Sequence, residues 1–249
     1  SLRDRYASAN VDTRFAKIYL DGVPTAARSA AMLAPYKLHP DFPNDYCGVL
    51  HVQEPTLSQD IAALEKRGFT VKLHTAGDRA VRSALDAIEK AHALSGRSDL
   101  RHELAHAGFV DAADVRRFKT LNVVADLSPY IWYPAPILDS IRHAIGARAE
   151  QYWPIKDLLE AGAPLLAGSD WPAAVSSMDP WKGVQAMVTR RDPSGKSEGA
   201  LWGEQSIQLS QALKIFTLDG ARAQRRESVT GSITVGKWAD LIVLNQNLF

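Results

Sequence analysis

Short apolar runs alternate along this chain with longer stretches in which apolar residues recur every three or four positions. The first pattern suits strands buried on both faces, and the second suits helices that lay one face against them. Five runs read as strands: residues 15–20, 70–74, 100–106, 123–128 and 164–169. A helix starting near Ser58 carries Ile61 and Leu64 and stops at Gly68. A second, capped by Asp78, repeats Val81, Leu85, Ile88 and Ala91 before Gly96, and a third runs through Ala212, Leu213 and Phe216 toward Gly220. This rhythm predicts an α/β protein, a mainly parallel sheet with helices outside it. The tail departs from it: residues 231–237 and 239–244 read as strand, turn, strand, a β appendage behind the α/β body. No internal repeat, charge block or Gly/Ser linker interrupts the chain.

Composition narrows the picture. With 249 residues the chain holds one large α/β unit or two ordinary domains. Hydrophobic residues at 46% and charged ones at 23% suit a packed core and set disorder aside. The 29 Lys+Arg against 28 Asp+Glu leave a formal charge of +1, which offers no drive toward nucleic acid or an anionic membrane. Cys47 is the single cysteine, so no intrachain disulfide and no cysteine zinc finger forms, and a reducing, cytoplasmic setting is expected. The charged opening Ser1-Leu2-Arg3-Asp4-Arg5 leads into no apolar segment of the signal-peptide kind. The most apolar long stretch, 121–141, contains Asp126, Pro129, Pro134 and Pro136, which a spanning helix tolerates poorly.

Chemistry gathers at the strand ends. His74 closes the second run, His106 the third, Asp170 follows the fifth, and Lys17 lies within the first. In a βα barrel the C-terminal ends of the strands form one face, where side chains from separate strands converge. Neutral imidazoles, a carboxylate and an open coordination position are what a hydrolytic divalent metal requires. Each residue also has a plain reading: a satisfied or surface histidine, a lysine stretching to solvent, a turn-forming Asp ahead of Trp171-Pro172. Spacing leaves both readings open. A regular strand would put His102 on the same face as His106, in a supporting or a packing role. It also puts Lys72 beside His74, awkward in a barrel interior, so a bulge or an early strand end is expected there. A serine hydrolase is disfavoured because G-x-S-x-G is absent, as are the P-loop and dinucleotide fingerprints.

Four segments occur in an order that resembles the metal-dependent amidohydrolase superfamily. They are Leu73-His74-Thr75-Ala76-Gly77-Asp78-Arg79-Ala80, Arg101-His102-Glu103-Leu104-Ala105-His106, Ala167-Gly168-Ser169-Asp170-Trp171-Pro172 and residues 231–244. Together with Ala16-Lys17-Ile18-Tyr19-Leu20-Asp21-Gly22, Thr25-Ala26-Ala27 and Pro35-Tyr36, they are similar to amidohydrolase family 3, the branch that includes N-substituted formamide deformylases. The resemblance implies a (β/α)8 TIM-type barrel with a small β-sandwich and hydrolysis of amide or other C–N bonds at one or two divalent metals, usually zinc. It implies that Lys17 is the strand-four lysine, often carboxylated to a bridging carbamate, and that His74 and His106 are the strand-five and strand-six ligands. Asp170 becomes the strand-eight ligand that shuttles a proton from a metal-activated water to the leaving group. Tyr130, Trp171 and Arg190 fall in loops after strands seven and eight, positions open to a small-molecule substrate, with Arg190 suited to a carboxylate.

One family feature is missing. The first barrel strand carries a His-x-His pair in that superfamily, whereas the histidines here are 39, 51, 74, 92, 102, 106 and 143. The chain is therefore expected to be the C-terminal part of a longer amidohydrolase. Residues 1–228 then supply about strands 4–8 of the barrel, and residues 229–249 a piece of the β-sandwich. One metal position is expected, the second of the family's two. The uncovered edges should drive homo-oligomerisation or pairing with a missing N-terminal half. The alternative is a non-catalytic remnant or assembly fragment that keeps the fold and has lost the chemistry.

Overall fold

The computed structural model describes residues 2–8, 11–173 and 175–249. Five strands, β1 (Phe15–Tyr19), β2 (Thr70–Thr75), β3 (Glu103–His106), β4 (Val124–Leu127) and β5 (Leu165–Ala167), form one sheet in chain order, each parallel to its neighbour. Helices α1 (Leu2–Tyr6), α2 (Thr56–Lys66), α3 (Asp78–Ser95), α4 (Ala112–Thr120), α5 (Pro136–Ile145), α6 (Ile155–Glu160), α7 (Pro180–Thr189), α8 (Leu209–Lys214) and α9 (Gly220–Ala223) surround or follow it. A parallel sheet whose order follows the chain, with a crossover between each pair of strands, is a segment of a TIM-type barrel. Each of the five runs predicted as strands in the α/β body overlaps an observed strand.

The helical side of the sheet holds the core. Val71, Leu73, Leu104 and Ala125 are fully buried there, in one apolar cluster with Ile61 of α2 and Val81, Leu85, Ile88 and Ala91 of α3. The 3.6-residue period of α3 sets this stripe, and Gly96 ends the helix in the left-handed region at φ 72°. Asp78 occupies the first helical position rather than the cap, its Oδ1 accepting the amides of Leu33 at 2.6 Å and Arg79 at 2.9 Å. Replacing Leu85 by alanine is expected to cost about 3 kcal/mol, from lost burial plus a cavity. Urea unfolding should show the midpoint falling at constant slope.

The opposite, inner face is polar. Register pairs Lys17 with Lys72, Lys72 with Glu103 and Ala105 with Asp126, so four charged residues share it. The expected bulge at Lys72 is absent: β1 and β2 pair without interruption from Phe15 and Thr70 to Tyr19 and His74. Lys72 stays on the inner face because its ammonium contacts the Asp126 carboxylate and lies 3.6 Å from Glu103. Ion pairing has replaced the irregularity.

The tail also differs from expectation. Residues 231–244 contain no strand, and their backbone hydrogen bonds include only short-range contacts such as Lys237 N–H to Thr234 and Trp238 N–H to Val229. Ile233, Val235, Ile242 and Val243 are exposed. A β segment needs a second strand to satisfy its amides and carbonyls, and none of the described residues provides one. Residues 231–244 therefore carry no strand pairing in this chain. Among the described residues no helix is long and apolar enough to cross a membrane.

Candidate active site

His74 lies at the end of β2 on the inner face, opposite Tyr19 in register, with the two rings 4.5 Å apart between centroids. Its Nδ1 lies 3.0 Å from Oδ1 of Asp21, a fully buried carboxylate just beyond β1. His106 ends β3 opposite Thr75, so strand alternation alone would turn it toward the helices with Leu104. Instead His106 and Ala107 take φ values of 73° and 40°, left-handed backbone that is costly for non-glycine residues. This turn of the chain brings the His106 ring edge-on to His74, with centroids 4.7 Å apart. Burial first, then the charges of His74, Lys17 and Lys72, push His106 down to about 3. It is thus neutral at ordinary pH and keeps a lone pair for a metal.

Lys17, one residue pair below Tyr19 on the inner face, is exposed and makes no ion pair among the described residues. Asp170 is exposed two residues after Gly168, with φ 57°, and is followed by a cis Trp171–Pro172 bond. Burial raises Asp126, Lys72 pulls it back, and Asp170 and Lys17 also act on it, which places all four within electrostatic reach. Burial alone would lower Lys72, but Asp126 and Glu103 hold it above its ordinary value. Burial and then Asp126 push Glu103 up to about 7 against the pull of Lys72. For a carboxyl raised in the folded state, stability falls as pH rises from the unfolded value toward the folded one. Glu103→Gln should therefore gain stability relative to the parent chain between pH 4.5 and about 7 and level off above it, as read by urea titrations across that range.

Three residues expected near substrate behave differently from one another. Trp171 is half exposed beside Asp170. Tyr130 is buried and donates its hydroxyl to the Met178 carbonyl at 3.2 Å. Arg190 is fully buried: its Nε donates to the Leu201 carbonyl at 2.7 Å, its Nη2 to the Tyr152 carbonyl at 2.8 Å, and its guanidinium lies over Trp132. Arg190 braces a loop and offers no surface to a carboxylate, because its position after α7 is covered by the aromatic cluster of Trp132, Tyr152 and Trp153. Asp21, Glu103 and Asp126 were not singled out from the sequence. Asp21 directly follows a strand end, and Glu103 and Asp126 keep the period-two pattern of Lys72, signals that were legible in hindsight.

His102 does not share a face with His106. It is fully buried on the helical side, where Nδ1 accepts the Val71 amide at 3.0 Å and Nε2 lies 2.8 Å from Glu65 Oε1. With His92, these groups form a second set able to approach a cation, their ligand atoms all within 4.8 Å of one another. The Val71 N–H requires the lone pair of Nδ1, so the His102 hydrogen sits on Nε2 and points at Glu65. A metal there would have to displace that proton and leave both ring nitrogens without one, so the barrel-face histidines fit a metal better. A cleft of about 850 Å³ opens at the other end of the strands, between Arg3, Arg14, Arg226 and Glu103, away from the histidines.

Imidazoles from β2 and β3 thus meet at the C-terminal end of a parallel sheet, the end at which TIM-barrel sites form. A family model described as "Amidohydrolase family" (Amidohydro_3) matches residues 4–249, and the chain belongs to this family. By that resemblance it is classed with hydrolases. It is 30% identical over 93% of its length to Protein LONG AFTER FAR-RED 3 of Arabidopsis thaliana, covering 38% of that protein. Against the protein named "Putative amidohydrolase YtcJ" of Bacillus subtilis (strain 168), identity is 29% over 94% of the chain and 42% of the relative. N-substituted formamide deformylase of Arthrobacter pascens is 25% identical over 73% of the chain and 32% of its own length. The crystal structure of an uncharacterized metal-dependent hydrolase from Pyrococcus furiosus superposes with a TM-score of 0.76 at 24% identity, over 97% of this chain and 46% of that one, a likeness of fold. The chain thus spans about two fifths of the length of the first two of these curated relatives.

Proposed function

We propose that this chain carries the Lys17, His74, His106 and Asp170 half of a metal-dependent site that hydrolyses amide or related C–N bonds of a small molecule. The meeting of the His74 and His106 rings on the inner face, with Lys17 and Asp170 at the same polar surface, is the observation that supports it. The donor set fits a divalent ion such as zinc: His106 is neutral, His74 has its Nδ1 engaged by Asp21 and its Nε2 left over, and Lys17, with no ion pair among the described residues, is free to be carboxylated. A divalent metal bound there supplies Lewis acidity and acidifies a water. Asp170, exposed at the same end, accepts the proton of the attacking water and returns it to the leaving amine. Trp171 beside it contacts the substrate. The choice of C–N bonds follows the name of the Arthrobacter relative.

Lys17→Ala is expected to lower zinc affinity, measured by competition with a chromophoric chelator; equal affinity would remove Lys17 from the ligand set. The β1 and β5 edges and the exposed apolar tail support a second chain as partner, an N-terminal half or another copy. Light scattering should show a species larger than 27.3 kDa, and a monodisperse monomer would exclude self-pairing. The reading as a non-catalytic fragment is favoured by the same open edges. It predicts that a polypeptide supplying the first half restores no metal-dependent turnover. Cys47, a free thiol, suits a reducing cytoplasmic setting.

A further inference from the structure

Asp21, just beyond β1, has four hydrogen-bonding partners on its carboxylate. It is fully buried, and Oδ1 accepts the amide of Ala76 at 2.9 Å while lying 3.0 Å from Nδ1 of His74. Oδ2 accepts the amides of Gly77 at 2.9 Å and Ala31 at 3.0 Å. Three of these four partners are backbone N–H groups, which only donate. A carboxylate receives all four, and the fourth must therefore also be a donor: the hydrogen of His74 resides on Nδ1. Its Nε2 is then a lone pair, oriented by a side chain that is itself held from three directions.

We infer that Asp21 is a positioning residue that fixes the tautomer and ring orientation of His74, so that Nε2 is ready for a ligand before any ligand arrives. The inference rests on the reading of His74 as a metal ligand, yet the tautomer exists in the metal-free chain and is measurable there. A carboxylate behind a ligating histidine also raises the basicity of the ring, and loss of such a partner typically costs metal affinity about 10–100-fold. The same carboxylate joins the turn after β2 to the loop after β1, since Ala76 and Gly77 belong to the first and Ala31 to the second. Strand end, turn and loop are held through one group.

The exchange Asp21→Asn tests the idea sharply, because an amide has one accepting and one donating end. If its NH2 took the Oδ2 position it would face the amides of Ala31 and Gly77, neither of which can stop donating. In the Oδ1 position it faces Ala76 and His74, and His74 alone can yield by moving its hydrogen to Nε2. The variant is thus expected to invert the His74 tautomer and occupy the nitrogen that should bind metal.

Long-range 15N–1H spectra of the full chain, metal-free and with His74 assigned through the His74→Gln variant, should show hydrogen on Nδ1 in the parent. Hydrogen on Nε2 in the parent overturns the inference without recourse to any variant. Asp21→Asn should show hydrogen on Nε2 and about 10–100-fold weaker zinc binding, with far-UV circular dichroism unchanged. Parent-like zinc affinity in a folded Asp21→Asn chain would overturn the positioning role while leaving the metal reading intact. No zinc binding by the parent would defeat the metal reading, and the parent tautomer would still decide the role of Asp21.

Discussion

Exchanging His74 and His106 together for alanine is expected to bring the zinc content of the reloaded chain from about one ion to background, read by plasma mass spectrometry. The two rings come from different strands and meet only because the backbone turns at His106, so they act as a pair. Lys17 and Asp170, both exposed, would remain, and two flexible or solvated groups do not retain a divalent ion against a chelator. Chelation of the parent chain should likewise remove the ion reversibly. Zinc retained by the double variant, but lost on Glu65→Gln, would instead put the ion in the helix-side set with His92 and His102. That result would also require the His102 proton to leave, a release of protons on binding that calorimetry in two buffers detects.

The second large effect concerns Asp170. In a complex that includes the first-half polypeptide, Asp170→Asn is expected to lower turnover by about 10²–10⁴-fold, the usual worth of a general acid or base. Zinc content should stay near that of the parent chain, because both imidazoles are untouched. Asparagine preserves the size of the side chain and one side-chain oxygen but takes up no proton. The exposure of Asp170 at the strand ends suits a group that must exchange protons with solvent and substrate. Turnover unchanged in the variant would remove the proton shuttle from Asp170, and metal lost in the variant would make it chiefly a ligand.

Much of this architecture was legible in one dimension. Each of the five strand runs of the α/β body overlaps an observed strand, and the apolar stripe of α3 is the stripe that is buried, because periodicity is imposed by backbone geometry that every residue obeys locally. His74 and Asp170 could be placed at strand ends for the same reason. The unread parts depend on partners distant in sequence. Lys72 looked out of place until Asp126, more than fifty residues away, supplied its counter-charge, and Asp21 gained meaning only from His74, two remote amides and the nearer amide of Ala31. Arg190 failed in the other direction: a loop position suggested access, and the packing of Trp132 and the Tyr152 and Leu201 carbonyls enclosed it.

The tail shows the same division. Its alternating apolar residues carry a strand preference that the chain states locally, yet residues 231–244 remain unpaired because a strand is completed by a neighbour. What the amino-acid order determined by itself was the class of fold, the family motifs and the candidate ligands on successive strands, all properties of short windows and their spacing. Tertiary structure alone decided which of those residues meet. It turned His106 onto the face of His74 through a left-handed backbone, sent His102 to the helical side and set a buried carboxylate behind His74, since facing, burial and hydrogen-bond direction arise only when distant segments pack.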